Sequence, residues 1–422
     1  MTTQTTPAPV SSGERLMLID SIRGLAIFGI LIINIGYYAW PKCRNWGIYP
    51  LDHATASDYF VDQLIYFLAK GKFYTIFSFL FGMGMAMQKQ RFTETGRAFT
   101  PFFISRLFWL MVIGAVHGFI IWNGDILLIY ALVGFPLLIF QNLKPRWLLG
   151  AAGLLFAWQF WTYSGTLAAS ITQAATPGGV GEQLTSWGEG TIWVNGVYNE
   201  AMNTYTTGSW MAIATMRFEE FKGLIFSLPG WWADLLISFL LGAWCWRKNI
   251  FTAIAEHRNL LKRVLLWGGA IGLTTNLLIT IIRPLHLAGV PSSVASLAWF
   301  AGKYTLGYAY LAGLALLYDG GHLKGFFKAL APVGRMAMTN YLMHSVVFTL
   351  VFNSYGLGLM GRFGETITFL MGLSLFLIQI PLSKWWLTRF RFGPCEWLWR
   401  TLTYRKMQPM RRHAPEGDLA AA

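Results

Sequence analysis

Charge is what this 422-residue chain has least of: Asp, Glu, Lys and Arg make up 12% of it. A soluble domain carries about a quarter, so an ordinary cytosolic enzyme and a disordered tail are both excluded. Cysteine is scarce as well. Cys43, Cys245 and Cys395 form no close-spaced pair, which argues against a disulfide framework or a structural zinc site. No Walker loop, dinucleotide-binding glycine fingerprint or zinc-protease helix motif occurs. What is abundant is apolar: 55% of residues are hydrophobic and 16% aromatic, and Trp and Tyr favour the lipid–water boundary. The composition predicts an all-α, polytopic transmembrane helix bundle whose main partner is the lipid bilayer.

Ten apolar stretches read as spans, at 17–39, 60–88, 101–121, 125–141, 146–163, 230–247, 263–283, 293–317, 333–352 and 366–388. Each approaches the ~20 residues a bilayer core needs. The excess of 33 basic over 19 acidic residues gives +14, which in a soluble protein would suggest nucleic acid. Topology explains it better. With both termini cytoplasmic, 23 basic residues fall in inner segments and 6 in outer ones, as basic residues do in membrane proteins; no nucleic acid partner is needed.

Residues 1–16 are polar and read as a disordered cytoplasmic N-terminus without a cleavable signal. Residues 17–163 hold the first five spans and 230–388 the second five, and 389–422 form a basic cytoplasmic tail. Between the halves, 164–229 is an outer connection. It begins as a Gly-, Thr- and Ser-rich stretch, either lid or linker. It then turns amphipathic in MAIATMRFEEFKGLIFSL, which reads as a helix lying on the membrane surface. A faint repeat sets Gly71-Lys72 with Gly82 against Gly302-Lys303 with Gly313.

Ionisable groups inside apolar spans are costly and therefore functional candidates. Asp20 and Arg23 are three apart on one helix face and able to pair. Asn34 lies eleven residues beyond Arg23, about 16 Å along the same face. Arg106 and His117 repeat that spacing in the third span. Either these arginines snorkel at helix ends, or they form a cationic inner mouth below a deeper polar site. A Trp-Asn-Gly turn brings Asp125 back toward His117. There the carboxylate either orients a general base or merely caps the next helix. Arg335 opens the ninth span, where Asn340 and His344 share a face; His344 is either structural or catalytic. His53, near Asp52 and Asp58 in an outer loop, is either an exposed loop residue or an acceptor-side base. Lys70, Lys72 and Lys303 either line a cavity or snorkel.

The segments LIDSIRGLAIFGILIINI, GKFYTIFSFLFGMG, RLFWLMVIGAVHGFIIWNGDILLIYALVG, VGRMAMTNYLMHS and FRFGPCEWLWRTLTY closely resemble, in order, the signature blocks of the YeiB family of bacterial inner-membrane proteins. The likeness covers about residues 16 to 406. YeiB-like proteins are grouped with the transmembrane acyl transferase superfamily, which includes heparan-α-glucosaminide N-acetyltransferase and sugar O-acyltransferases. The resemblance implies a multi-pass protein of the bacterial inner membrane, and a homodimer is suggested by the superfamily. It also implies a donor substrate, acyl-CoA and most simply acetyl-CoA, with no tightly bound cofactor and no metal site. The acceptor would be periplasmic or lipid-linked. Asp20, Arg23 and Gly24 match the opening block; His117, Gly118, Gly124 and Asp125 match the His-Gly and Gly-Asp-Ile-Leu block. Arg335, Asn340 and Tyr341 match the Gly-Arg-x-x-x-Thr-Asn-Tyr block, and Pro394, Glu396, Trp397 and Arg400 the last one. Two departures stand out. His344 replaces the Gln of relatives, and the heparan enzyme's active histidine lies in the loop where this chain has His53.

The expectation is acyl transfer across the membrane. Asp20, Arg23, Arg106, Arg335, Asn340 and Tyr341 would bind the donor, the arginines through its phosphates. His117, Asp125, Asn34 and His53 are the candidates for catalysis. The rival expectation is a transporter of a small solute or lipid precursor using the same polar groups. A non-enzymatic scaffold would leave the buried charges without a purpose.

Overall fold

The computed structural model describes residues 12–41, 55–179, 196–226, 229–282 and 290–412. Hydrophobic runs without turn residues become long helices, and among the described residues no strand forms, only an isolated bridge between Phe390 and Arg411. Among the described residues, five helical stretches are long and apolar enough to cross a membrane: Met17–Ala39, Ala56–Glu94, Phe99–Ile121, Arg258–Ile282 and Glu365–Arg389. Many large apolar side chains on these and the other long helices face outward. Leu154 is 75% exposed, Trp161 76% and Leu266 65%, an arrangement that suits lipid and not water. The protein is a transmembrane helix bundle.

The elements follow in chain order. Helix α1 is Ser12–Ala39, α2 Ala56–Leu68, α3 Lys72–Glu94 and α4 Phe99–Val116. A π turn at His117–Ile121 leads to α5, Leu127–Leu137, then to α6, Pro145–Ala175. Helix α7 covers 196–207 and α8 is Trp210–Phe226. The second half comprises α9 Pro229–Arg247, α10 Arg258–Ile282, α11 Val290–Asp319, α12 Lys324–Arg335, α13 Ala337–Phe352, α14 Glu365–Arg389 and α15 Pro394–Tyr404.

Several expected boundaries move. The stretch 60–88 is two helices, because Gly71 takes a left-handed φ of 89° between α2 and α3. The stretch 333–352 is also interrupted: the turn at Met336 separates α12 from α13. The first helix begins at Ser12, ahead of its apolar span, which keeps the expected bounds at Met17–Ala39; residues 1–11 lie outside the described residues. Helix α6 continues to Ala175, twelve residues past the expected end at 163, so the outer connection opens as helix and not as loop. The tail is not a loose basic segment either. Its helix α15 packs on α4 and α13, and Trp399 Nε1 donates to the Arg106 carbonyl at 2.9 Å.

Close helix crossings hold the bundle. Lipid tails are as apolar as Leu, so helices in a membrane associate through tight packing at small residues. A Cβ on Gly24 would lie 2.3 Å from the Leu330 carbonyl oxygen, and one on Gly334 1.8 Å from that of Asp20. That reciprocal contact locks α1 to α12. Gly82 and Gly242 do the same for α3 and α9, each 1.9 Å from the partner helix's carbonyl oxygen, of Phe239 and Phe79 respectively.

Candidate functional site

The π turn at the end of α4 begins at His117, whose carbonyl accepts from Trp122 N at 2.8 Å. Such widened turns recur at functional sites. The chain then leaves helical geometry for a few residues, which swings Asp125 back toward the imidazole. Asp125 Oδ1 lies 2.7 Å from His117 Nδ1, and its Oδ2 accepts from the Leu128 amide at 2.7 Å. The two expected roles of Asp125 are therefore combined, since one oxygen holds the histidine and the other caps α5. His117 and Asp125 are each 1% exposed.

The other ring nitrogen, Nε2, is 2.8 Å from Ser345 Oγ on α13, and Ser345 Oγ is 2.7 Å from the Tyr38 hydroxyl at the end of α1. Proton positions follow from the network. With Nδ1–H facing the carboxylate, a neutral imidazole accepts from Ser345 at Nε2, and Ser345 accepts from Tyr38. Tyr341 lies with its ring 5.3 Å from the imidazole, and Trp122 stands edge-on at 6.2 Å and packs on Tyr38 at 4.2 Å. Three helices and a turn thus meet around a carboxylate–imidazole–hydroxyl relay in an apolar surround.

Asn34 sits one turn before Tyr38 on the same α1 face. It is half-buried and makes no hydrogen bond among the described residues. No hydrogen bond joins it to His117. His344 is buried and bonded to Gln379 Oε1 at 2.8 Å, so it braces α13 against α14. Asn340 donates to the Val333 carbonyl at 3.2 Å and to Ser383 at 3.1 Å. Asn340 thus ties α13 to α12 and α14, and the Tyr341 ring lies against His117. His53 lies outside the described residues.

The basic residues gather at the far end of the bundle. Arg23 pairs with Asp20 at 2.7 Å while keeping part of its surface open. The α1–α12 crossing brings Gly334, and with it Arg335, against Asp20. The Arg106 guanidinium lies 3.6 Å from the Trp399 ring centre, and Arg400 follows on the same helix, 4.6 Å from the Phe392 ring. At this end Glu396 accepts from Met338 N at 2.7 Å, Thr339 N at 3.1 Å and the Thr339 hydroxyl at 2.5 Å. Burial holds its carboxyl above the usual range despite those bonds.

Helix α8 closes the opposite end. Phe221 is fully buried on Gly118 and meets Phe119 edge to face at 4.9 Å. Arg217 donates to the Ile120 carbonyl of the π turn at 2.9 Å. Beside it lies a narrow crevice with room for about one water, lined among others by Tyr38, Trp122, Asn123, Tyr205, Thr349 and Asn353. A second buried polar group lies elsewhere. Lys303 pairs with Asp234, and Lys72 donates to Asn276 and, at 3.0 Å, to the Tyr66 carbonyl. The two Gly-Lys segments touch there, since a Cβ on Gly71 would lie 3.0 Å from that of Lys303.

Sequence reasoning missed Ser345, Tyr38 and Arg217. Ser345 adjoins the flagged His344, and Tyr38 stands four residues beyond Asn34. Both signals were present but unremarkable without the tertiary contacts. Arg217 counts in the sequence only as an outer-loop charge.

Comparison with known proteins agrees with the family signature. The chain is 32% identical over 421 residues to the uncharacterized protein YxaH of Bacillus subtilis, covering 95% of this chain and 97% of the relative. It is 30% identical over 411 residues to the uncharacterized protein YeiB of Escherichia coli, with 94% and 98% covered. The chain belongs to the YeiB family. The family described as "Protein of unknown function (DUF418)" matches residues 245–406, which takes in Arg335, Ser345 and the α15 end of this YeiB-family bundle. A Bacillus acidopullulyticus protein named for its place in an amylase 3′ region is 28% identical over 408 residues, with 95% of this chain and 97% of its own length covered. No solved structure matches the chain.

Proposed function

We propose that this protein is a transmembrane acyltransferase of the bacterial inner membrane, moving an acyl group from acyl-CoA to a hydroxyl or amine acceptor across the bilayer. The observation that carries this reading is the relay Asp125–His117–Ser345, with bonds of 2.7 and 2.8 Å, in a buried site. A carboxylate that fixes an imidazole against a hydroxyl is the arrangement acyl transfer uses on unrelated folds.

In this proposal the end bearing Arg23, Arg106 and Arg335 faces the cytoplasm and holds the CoA phosphates by charge-assisted hydrogen bonds. The eleven residues from Arg23 to Asn34 span about 16 Å, comparable to an extended phosphopantetheine arm. Asn34, with an unengaged amide among the described residues, would bind the thioester carbonyl. His117 takes the Ser345 proton as the serine oxygen bonds the thioester carbon. The carbon–sulfur bond then breaks, and the imidazolium returns the proton to the CoA thiolate. Next, the acceptor gives its proton to His117 and attacks the acyl-serine. That proton passes to Ser345 as it leaves.

The test is incubation of purified protein with radiolabelled acetyl-CoA, followed by peptide mapping and, with exported acceptors, turnover. The expected result is an acetyl group on the Ser345 peptide. Ser345→Ala should lose that label, and His117→Ala should lose turnover by about 10²–10⁴-fold while still binding CoA. Unlabelled wild type together with full turnover in His117→Ala would overturn the proposal.

One observation favours the transport alternative. Asn340, His344, Ser345, Thr349 and Asn353 form a polar file along α13, as a solute or proton path would require. Protein that binds neither CoA nor acetyl-CoA, but exchanges solute in vesicles, would select that reading.

A further inference from the structure

The charges at the basic end do not balance. Asp20 is already shared, pairing with Arg23 at 2.7 Å and lying in the field of Arg335. Glu396 lies in the field of Arg400, but its oxygens are taken by the Met338 and Thr339 amides and the Thr339 hydroxyl. Arg106 and Arg400 are left without an acceptor. Among the described residues neither makes an ion pair or a side-chain hydrogen bond. They are nevertheless drawn together: Arg106 lies in the field of Arg400 and Arg23, and Arg400 in that of Arg91 and Arg23.

Like charges gathered in this way repel, and the fold holds them in place. Trp399 Nε1 donates to the carbonyl of Arg106 itself at 2.9 Å, and the indole lies 3.6 Å from that residue's guanidinium. The Ser105 hydroxyl donates to the Thr403 carbonyl at 3.2 Å and fastens α15 to α4 a second time. Arg400 is exposed and rests 4.6 Å from the Phe392 ring. A ring under a guanidinium fixes its plane and leaves the N–H fork at the edge for a carboxylate or phosphate. Snorkelling to the interface needs neither the ring supports nor the convergence. Two supported forks from different helices, both lacking acceptors among the described residues, suit an anion with several oxygens.

We infer that Arg106 and Arg400 together bind a phosphate monoester, the ribose phosphate at the nucleotide end of CoA. This deepens the acyltransferase reading and rests on it for the identity of the donor. It brings Arg400 into the donor site, so that the last helix, α15, is part of that site. Charge favours the monoester. It carries about two negative charges near neutral pH, matching two guanidiniums, whereas the phosphodiester of a phospholipid headgroup carries half as much.

The experiment measures binding without acyl transfer. Purified protein in neutral detergent is titrated calorimetrically with CoA and with dephospho-CoA, which lacks only the ribose phosphate. Wild type should bind CoA about tenfold to a hundredfold more tightly, the worth of charged hydrogen bonds. Arg400→Gln should lower CoA affinity to that of dephospho-CoA while leaving dephospho-CoA binding unchanged. Lys406→Gln, which removes a charge just beyond the same helix, should keep the wild-type preference. If Arg400→Gln does not accumulate, Arg400→Lys keeps the charge without the fork and should reduce the preference severalfold. Equal affinity of wild type for the two ligands would overturn the inference, as would an undiminished preference in the Arg400 variant. In both cases CoA still binds and the donor reading survives, whereas protein that binds neither ligand loses both. A parallel series compares nanodiscs of phosphatidylglycerol with nanodiscs of phosphatidylcholine by thermal stability. Stabilisation by phosphatidylglycerol that vanishes in Arg400→Gln, without any preference for CoA, would assign the arginines to a lipid headgroup and also overturn the inference.

Discussion

Two carboxylates in this protein do similar work at opposite ends of the bundle, each tying a helix start to something else. Asp125 caps α5 and orients His117 with its two oxygens. Asp125→Asn keeps an oxygen for the Leu128 amide and removes the negative charge from the imidazole. Stability should change by less than about 1 kcal/mol, the scale of a retained cap, while turnover falls by about 10²–10⁴-fold. Thermal unfolding and acetyl transfer on one preparation check both. Glu396, on α15 outside the spans, receives the first amides of α13. Burial raises its carboxyl above the reference value of 4.5. A group raised on folding contributes stability below its unfolded value and loses that contribution as pH climbs through the folded one. Unfolding temperatures measured from pH 4 upward should fall over that window in wild type, and Glu396→Gln should remove that component of the slope. His117 and Asp125 were legible together because they stand eight residues apart across a visible turn. Ser345 is 228 residues from His117, and nothing local to it distinguishes it from any serine in an apolar helix.

Helices show the same division. Long apolar runs announced α1, α4, α10 and α14, because hydropathy over ~20 residues records a bilayer crossing directly. The breaks at Gly71 and Met336 were not announced, since only Lys70 and Lys72 beside the first and Arg335 beside the second interrupt the apolar run, and such residues also occur within continuous helices. Helix α15 was hidden for the opposite reason: Arg400, Arg405 and Lys406 give its stretch the look of a solvated tail, while Trp399 anchors it against α4. The glycine crossings make a sharper prediction. Gly242→Val would force side-chain atoms into the Phe79 carbonyl and should destabilise by about 3 kcal/mol or more, at the upper end of overpacking costs. Loss of a monodisperse peak in detergent would register it. A Gly84→Val control, with nothing within 4 Å of its added Cβ, should remain folded.

Across the whole molecule, the basic end and the α8 end are joined by α13. The helix starts at Glu396's hydrogen bonds, passes Asn340 and His344, reaches Ser345, and finishes near Asn353 at the crevice. If CoA docks at the basic end, Arg23→Ala should weaken CoA binding by about tenfold, the loss of one charge-assisted contact. Isothermal titration with CoA measures the change. Unchanged CoA affinity would remove Arg23 from the donor site.

The paired glycines also constrain how the protein can be altered by later mutation. Where a bulky residue meets a bulky residue, a harmful enlargement on one side is often relieved by a trimmed side chain on the other. At Gly82 opposite Phe239–Gly242, and at Gly24 opposite Leu330–Gly334, the obstacle is a carbonyl oxygen of the main chain, and the reciprocal position has no side chain to trim. A suppressor screen started from a valine at any of these four sites should return revertants at the original codon and no compensating change across the crossing.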